Sequence, residues 1–231
     1  MSPDTSALDR PIWSALTQNQ AGFAQVAGPA RRYPEDMARF AATEDLSPAS
    51  IAALAPLFPP QGALALFEAT DVTPPRLNPG LDVLRRATVL QMVAGDTPVA
   101  PGPAFTPLGE ADVADMLELV ARTNPGPFAA GTHRLGRYLG LRQAGKLVAM
   151  AGERMRLAGF TEISAVCTAP ELRGQGLGAR AVAALVALIR AEGAVPFLHV
   201  FADNAPAIAL YEKLGFTLRR ELRLTVLRRA A

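Results

Sequence analysis

Val166-Cys167-Thr168-Ala169-Pro170-Glu171-Leu172-Arg173-Gly174-Gln175-Gly176-Leu177-Gly178 leads an apolar strand through a short loop into glycines at alternating positions, which open a long apolar helix over residues 174–191. Glycine has no side chain, so a ligand can approach its backbone closely. The first amides of a helix lack partners within the helix and carry the positive end of its dipole. Together these properties make a cradle for a pyrophosphate. Arg173 adds a fixed positive charge at its rim. Glycines here can also serve only to bring a helix close to a sheet, so the turn alone leaves both readings open. A third reading is a dinucleotide fold. Residues 174–179 fit G-x-G-x-x-A, with Asp203 at the end of the next strand. Two features oppose it. Residues 170–173 separate strand from glycines, where that fold turns directly, and fewer than 30 residues follow Asp203 to complete a doubly wound sheet.

Residues 204–216, NAPAIALYEKLGF, have no place in a dinucleotide fold. They predict a helix over 204–214 with Asp203 or Asn204 as its cap, Pro206 in its first turn and Gly215 just past its end. Here the chain resembles a known family. Arg173–Gly178 is similar to the R-x-x-G-x-G pattern of the GNAT superfamily of N-acetyltransferases. The 204–216 stretch resembles that family's N-x-x-A-x-x-x-Y-x-x-x-G-F element, with Asn204, Ala207, Tyr211, Gly215 and Phe216 on the matching positions. One helix and one strand separate the two motifs, as the family's order demands. The resemblance covers roughly residues 105–231, and within the superfamily the 162–173 stretch looks most like a poorly characterised group of bacterial acetyltransferases.

The resemblance implies an α/β fold with a GNAT-type mixed central sheet flanked by helices, and acetyl-CoA as cosubstrate in a V-shaped opening between two strands. Backbone groups of Val166 and Thr168, flanking Cys167, would pair with the pantetheine arm. Arg173 and the backbone from Gly174 through Gln175, Gly176, Leu177 and Gly178 to Ala179 would hold the pyrophosphate. Asn204 would cap its helix and bond the cofactor. Tyr211 would protonate the departing thiolate, or else only pack its ring against the cofactor or core. For the base, the resemblance points to Glu162, with Glu153 or water alone as alternatives. The function so implied is transfer of an acetyl group to a primary amine by direct attack in a ternary complex; the alternative is a non-catalytic acyl-CoA-binding or sensing module.

Outside the motifs the sequence is less specific. Residues 112–122 predict an amphipathic helix, 138–142 and 147–157 a hairpin turning at Ala144-Gly145, and 162–168 a third strand. Residues 195–202 predict another strand, and 216–227 one or two closing strands. The Pro/Gly-rich stretches 70–80 and 95–107 suggest punctuation, and the second suggests dividing the chain into 1–102 and 103–231. The first part, smaller and mixed α/β, predicts a helix at 47–58 and short strands at 63–67 and 88–93, without a catalytic constellation. Trp13 and Tyr33 read as core aromatics. The loop 123–137 is the predicted acceptor wall.

Composition bounds the rest. A single cysteine, Cys167, excludes an internal disulfide, and with only His133 and His199 beside it no clustered metal site is expected. Cys167 lacks a cationic neighbour in sequence and reads as a small core residue rather than a nucleophile. His199 on an apolar strand reads as a satisfied core histidine before a proton relay. Of 23 basic residues 21 are arginine, nearly matched by 21 acids, so the net charge of +2 is no nucleic-acid footprint. The chain shows neither an apolar span suited to a membrane nor a secretory pattern at its start, so a cytoplasmic protein, monomeric or homodimeric, without nucleic-acid or membrane partners, is expected.

Overall fold

A parallel pair of neighbouring strands needs a crossover long enough to carry the chain back to the same end of the sheet. The apolar helix after the glycine turn supplies it. A computed structural model of the chain describes residues 4–60, 62–72, 80–95 and 105–230. In chain order the elements begin with α1 (Pro11–Thr17), β1 (Gln25–Ala27), β2 (Ala30–Arg32), β3 (Ala41–Thr43), α2 (Pro48–Ala52), β4 (Ala63–Glu68) and β5 (Leu81–Ala94). They continue with β6 (Thr106–Leu108), α3 (Val113–Thr123), β7 (Tyr138–Gln143), β8 (Lys146–Leu157) and β9 (Phe160–Thr168). The last four are α4 (Leu177–Ala191), β10 (Val195–Phe201), α5 (Ala205–Lys213) and β11 (Phe216–Arg229).

Eight strands form one sheet in the order β4-β11-β5-β10-β9-β8-β7-β6. Every neighbouring pair is antiparallel except β9 and β10, which α4 connects. The mixed α/β sheet flanked by helices is the fold expected from the sequence. Successive side chains of a strand face opposite sides, so β10 sends Leu198 and Val200 under α4 and α5 while Phe197 faces α1. On the α4 side Leu185, Val186 and Ile189 pack on Ile163 and Phe216. On the other side Leu8, in the turn before α1, and Ile12 and Leu16 of α1 join one cluster with Phe40, Phe67, Phe160 and Phe197, and α3 covers Met150, Ala165 and Cys167.

The position suggested for a division, near residues 102–103, lies outside the described residues, as do 73–79 and 96–104 of the two Pro/Gly-rich stretches. The portion before it splits in two. Residues 5–58 form a small mixed layer with its own antiparallel sheet, β1-β2-β3. Residues 63–94 join the large sheet, because β5 pairs with both β10 and β11 and β4 pairs with β11.

Individual elements depart from their expected lengths for local reasons. The 47–58 helix stops at Ala52 and continues only as a 3-10 turn over Ala55–Leu57, with Pro56 inside it; its start is as read, Ser47 Oγ accepting from Ser50 N at 3.2 Å ahead of Pro48. The 88–93 strand extends to fourteen residues because β11 offers a partner along its whole length, and β11 itself is one long strand rather than two. The tail arginines are tied inward: Arg219 and Arg220 each reach Asp9 Oδ1 at 2.6 Å, and Arg229 donates to the Ala55 carbonyl at 2.9 Å. No described helix is long and apolar enough to cross a membrane.

A chain beginning at residue 103 deprives β10 and β11 of β5 and uncovers Phe160 and Phe197. It is expected to show no cooperative urea transition by far-UV circular dichroism, where the full chain shows one.

Candidate active site

β9 and β10 pair over only three positions: Val195 with Phe160, Pro196 with Thr161 and Phe197 with Glu162. Both continue well past that point, to Thr168 and Phe201. Beyond it each strand keeps only its outer neighbour, β10 pairing with β5 as far as Phe201 and Val89, β9 with β8 as far as Thr168 and Ala149. A bulge drives them apart. Met150 faces Cys167 and Gly152 faces Ser164, so β9 carries one extra residue there, and Ala165 takes φ +51, a value rare for a residue with a Cβ.

The opening is a cleft of about 1170 Å³ that passes through the sheet. Val166, Val200, Asn204, Ala207 and Tyr211 line it on the α4–α5 side; Phe40, Phe67, Arg85, Thr123 and Phe128 line it on the other. One reactant can therefore lie on each face and meet the other in the gap.

The α4–α5 side holds the predicted cradle. Gly174 and Gly176 have φ +80 and +74, the left-handed region that glycine enters without steric cost, so α4 starts at Leu177 and not at Gly174. Gly176 caps the helix without a side chain and leaves the first amides uncovered. A Cβ on Gly178 would sit 3.6 Å from Thr168 Oγ1 and 3.7 Å from Val166 Cγ1, which places the helix start directly beside the splayed end of β9. Of the predicted binding residues, Val166, Cys167, Thr168, Arg173, Asn204 and Tyr211 line the cleft. Gly174, Gln175, Gly176, Leu177, Gly178 and Ala179 form the turn and the first helical residues next to it. Asn204 is the cap, its Oδ1 accepting from Ala207 N at 3.3 Å.

Tyr211 is buried with its ring 6.0 Å from that of Phe216, and its hydroxyl makes no hydrogen bond to the described residues. Burial pushes its pKa up to about 12, so it holds its proton at neutral pH. Burial likewise pushes the Cys167 thiol up to about 11, which leaves little thiolate for a covalent route.

Glu162 differs from the base that the resemblance implied. Its side chain is 0% exposed and both oxygens are engaged. Arg154 donates through Nε to Oε2 at 2.8 Å and through Nη2 to Oε1 at 2.6 Å, and His199 Nδ1 reaches Oε1 at 2.6 Å. Burial alone would raise its pKa, but Arg154 and then His199 outweigh burial and hold it at about 2. A carboxylate so held has little tendency to take a proton from an ammonium group. Glu162 thus positions Arg154 and His199.

The network also fixes His199. Arg219 donates to Gln91 Oε1 at 2.9 Å, so the Gln91 amide nitrogen is turned to the Leu8 carbonyl at 2.8 Å and to His199 Nε2 at 3.2 Å. His199 Nε2 then accepts and Nδ1 donates, leaving neither ring nitrogen for a substrate. Glu153, the alternative base, is equally enclosed: Arg137 and Arg156 pair with it and it does not line the cleft. His133 bonds Glu110 and the Ala130 carbonyl, each at 2.9 Å, away from the lining. No three described His, Cys, Asp or Glu residues are grouped to hold a metal ion.

The second face of the cleft was legible only in part. Residues 123–129 of the predicted acceptor loop do line it. Arg39, Phe40, Phe67, Arg85 and Arg154 also line it, and no sequence signal marks them. The short apolar run at 63–67 predicts a strand but says nothing of its neighbour in space.

Comparison with known proteins agrees with this geometry. A family model described as FR47-like protein matches residues 138–224. The structure of a GNAT-family acetyltransferase from Novosphingobium aromaticivorans superposes with a TM-score of 0.89 at 43% identity, over 97% of this chain and 99% of that one. N-alpha-acetyltransferase RimI of Mycobacterium tuberculosis is 35% identical over 136 residues, 54% of this chain and 82% of that protein. An uncharacterized protein of Mycobacterium leprae is 33% identical over 175 residues, 70% of this chain, which spans 46% of that relative's length. The chain belongs to the GNAT superfamily of N-acetyltransferases.

The Glu162 pairing predicts a pH dependence. A carboxylate with a folded pKa near 2 against an ordinary 4.5 contributes stability that is present above the unfolded value and lost as pH falls through the folded one. Glu162→Gln is expected to be less stable than the parent by about 3 kcal/mol at neutral pH, a gap that closes between about pH 5 and pH 2, read from urea midpoints.

Proposed function

We propose that the chain transfers an acetyl group from acetyl-CoA to a primary amine by direct attack in a ternary complex. The observation that carries this reading is the cleft through the sheet, with an uncapped helix start and the unpartnered Tyr211 hydroxyl on one face and an open wall of apolar residues and arginines on the other. Acetyl-CoA lies with its pyrophosphate on the amides of residues 175–179 and its pantetheine along Val166 and Thr168, a strand stretch that lacks a partner on the β10 side. Arg173 and Asn204 flank it.

The amine nitrogen attacks the thioester carbonyl carbon, the C–N bond forms, and collapse of the tetrahedral intermediate breaks the C–S bond. The leaving thiolate takes the proton of Tyr211. A phenol at about 12 gives up its proton readily to a sulfur only where the pair is shielded and aligned, and the buried setting of Tyr211 supports that role. Since Glu162 and Glu153 are both engaged in ion pairs, the ammonium proton leaves through water in the cleft, and bulk water returns a proton to Tyr211. The portion before residue 102 builds the acceptor wall in this reading.

Acetyl-CoA and CoA, but not NAD(P)H, are expected to raise the melting temperature at millimolar concentration. Tyr211→Phe is expected to lower turnover at least about tenfold with little change in acetyl-CoA affinity. Thermal gain without thiol release from any amine would leave a sensing module, and unchanged turnover in the Phe variant would remove the acid role.

A further inference from the structure

Two guanidinium groups on the acceptor face lack a hydrogen-bond or ion-pair partner among the described residues. Arg39 and Arg85 are exposed, line the cleft, and make no side-chain hydrogen bond or ion pair to any described residue. They flank one row of the sheet. Ala65, Val226 and Arg85 are register partners across β4, β11 and β5, and the Ala65 amide donates to the Arg39 carbonyl at 2.8 Å. Strands lie roughly 4.8 Å apart, so the three spacings from Arg39 across Ala65 and Val226 to Arg85 span about 14 Å, a width that two extended arginine side chains can close over one anion. Its floor, Ala65 and Val226, bears no charge.

Arg85 is also held in orientation. Its Cζ lies 4.8 Å from the centre of the Phe201 ring. Stacking on an aromatic face fixes the guanidinium plane and leaves the in-plane N–H donors free for a carboxylate or phosphate. The cleft's other charges do not cancel this field. Glu162 occupies Arg154, Arg173 stands at the glycine turn, and Glu35 is the one carboxylate among the described lining residues, within the field of Arg32. Between the Arg85 row and the end of β10 lies an apolar row, Phe67 with Leu224.

We propose that the acceptor is an amine that also bears an anionic group, a carboxylate or phosphate, held by Arg39 and Arg85 while an apolar spacer crosses Phe67 and Leu224. This assignment rests on the acetyl-transfer reading above and gives it a substrate class. An amine with a positive or neutral far end meets two unpaired cations instead, and each loses the charge-assisted bonds that an anion supplies.

The test is thiol release by the full chain with four acceptors of matched spacer: 6-aminohexanoate, 6-aminohexyl phosphate, 6-aminohexanamide and 1,6-diaminohexane. At least one anionic amine is expected to exceed the neutral amide in kcat/KM by about tenfold or more, as charge-assisted hydrogen bonds imply. Which anion leads identifies the group. Arg39→Gln and Arg85→Gln should each bring that ratio toward one, and Arg85→Glu should tilt it toward the diamine; melting curves confirm that the variants fold. Calorimetric titration of the same amines into CoA-saturated protein separates the two readings. Anion-selective binding without thiol release from any amine would sink the transferase reading and uphold only the anion site of Arg39 and Arg85. Thiol release with equal use of anionic and neutral amines, or equal or undetectable binding of both, overturns it.

Discussion

Three register pairs between β9 and β10 set the terms for the rest of the molecule. Parallel neighbours ordinarily pair along their shared length, and a strand that stops doing so leaves backbone donors and acceptors unsatisfied. Here the cost is contained, because β5 and β8 hold the outer edges of the two strands while the inner edges face a cleft. Those inner edges are the groups an amide-rich pantetheine arm can use. The sheet tolerates the gap because α4 and α5 cover one face and α1 and α3 the other, so Leu198 and Val200 stay buried although the strand carrying them has lost a neighbour.

The buried ion pair at Glu162 lies where that gap begins, and the bulge at Ala165 lies within it. Ala165 adds a residue to β9 and turns it away from β10. Glu162 sits at the last paired position, and its bonds to Arg154 on β8 and His199 on β10 cross the apex of the V. Three strands are thereby tied where the opening begins. Buried ion pairs contribute little net stability when compared with apolar packing, and their better-attested use is to fix one arrangement among several. At this apex that use is plain: the carboxylate of Glu162 ties β8, β9 and β10 together where the cleft begins.

The acceptor face shows how the first ninety-odd residues enter the function. β4 and β5 extend the sheet beyond β10, and the segment around Phe40 closes its far edge through a bridge to Ala65. The tilted ring pairs Phe40–Phe67 and Phe67–His199, with ring centres 5.1 and 4.9 Å apart, run from that edge to the apex. That wall of the cleft and the network that holds the apex are therefore one packed unit, built from both halves of the chain.

Local physics made much of this protein readable from its sequence. Left-handed glycines at Gly174 and Gly176, the uncapped start of α4, the Asn204 cap and the placement of Tyr211 depend on residues within a few positions of one another. Their spacing therefore specified both the cradle and the family. Strand order is a different matter. Nothing in the alternation of residues 81–94 announces that they lie between β10 and β11, since any antiparallel partner with matching faces would satisfy the same pattern. The fate of Glu162 was equally hidden, because a carboxylate's role depends on which charges tertiary folding brings within hydrogen-bond reach, and Arg154 and His199 come from different strands. Sequence by itself determined the helix starts, the glycine turn and the family. Only the tertiary structure decided the splay, the far wall of the cleft and the enclosure of Glu162 and Glu153 in ion pairs, because those rest on contacts between separate strands and segments of the chain.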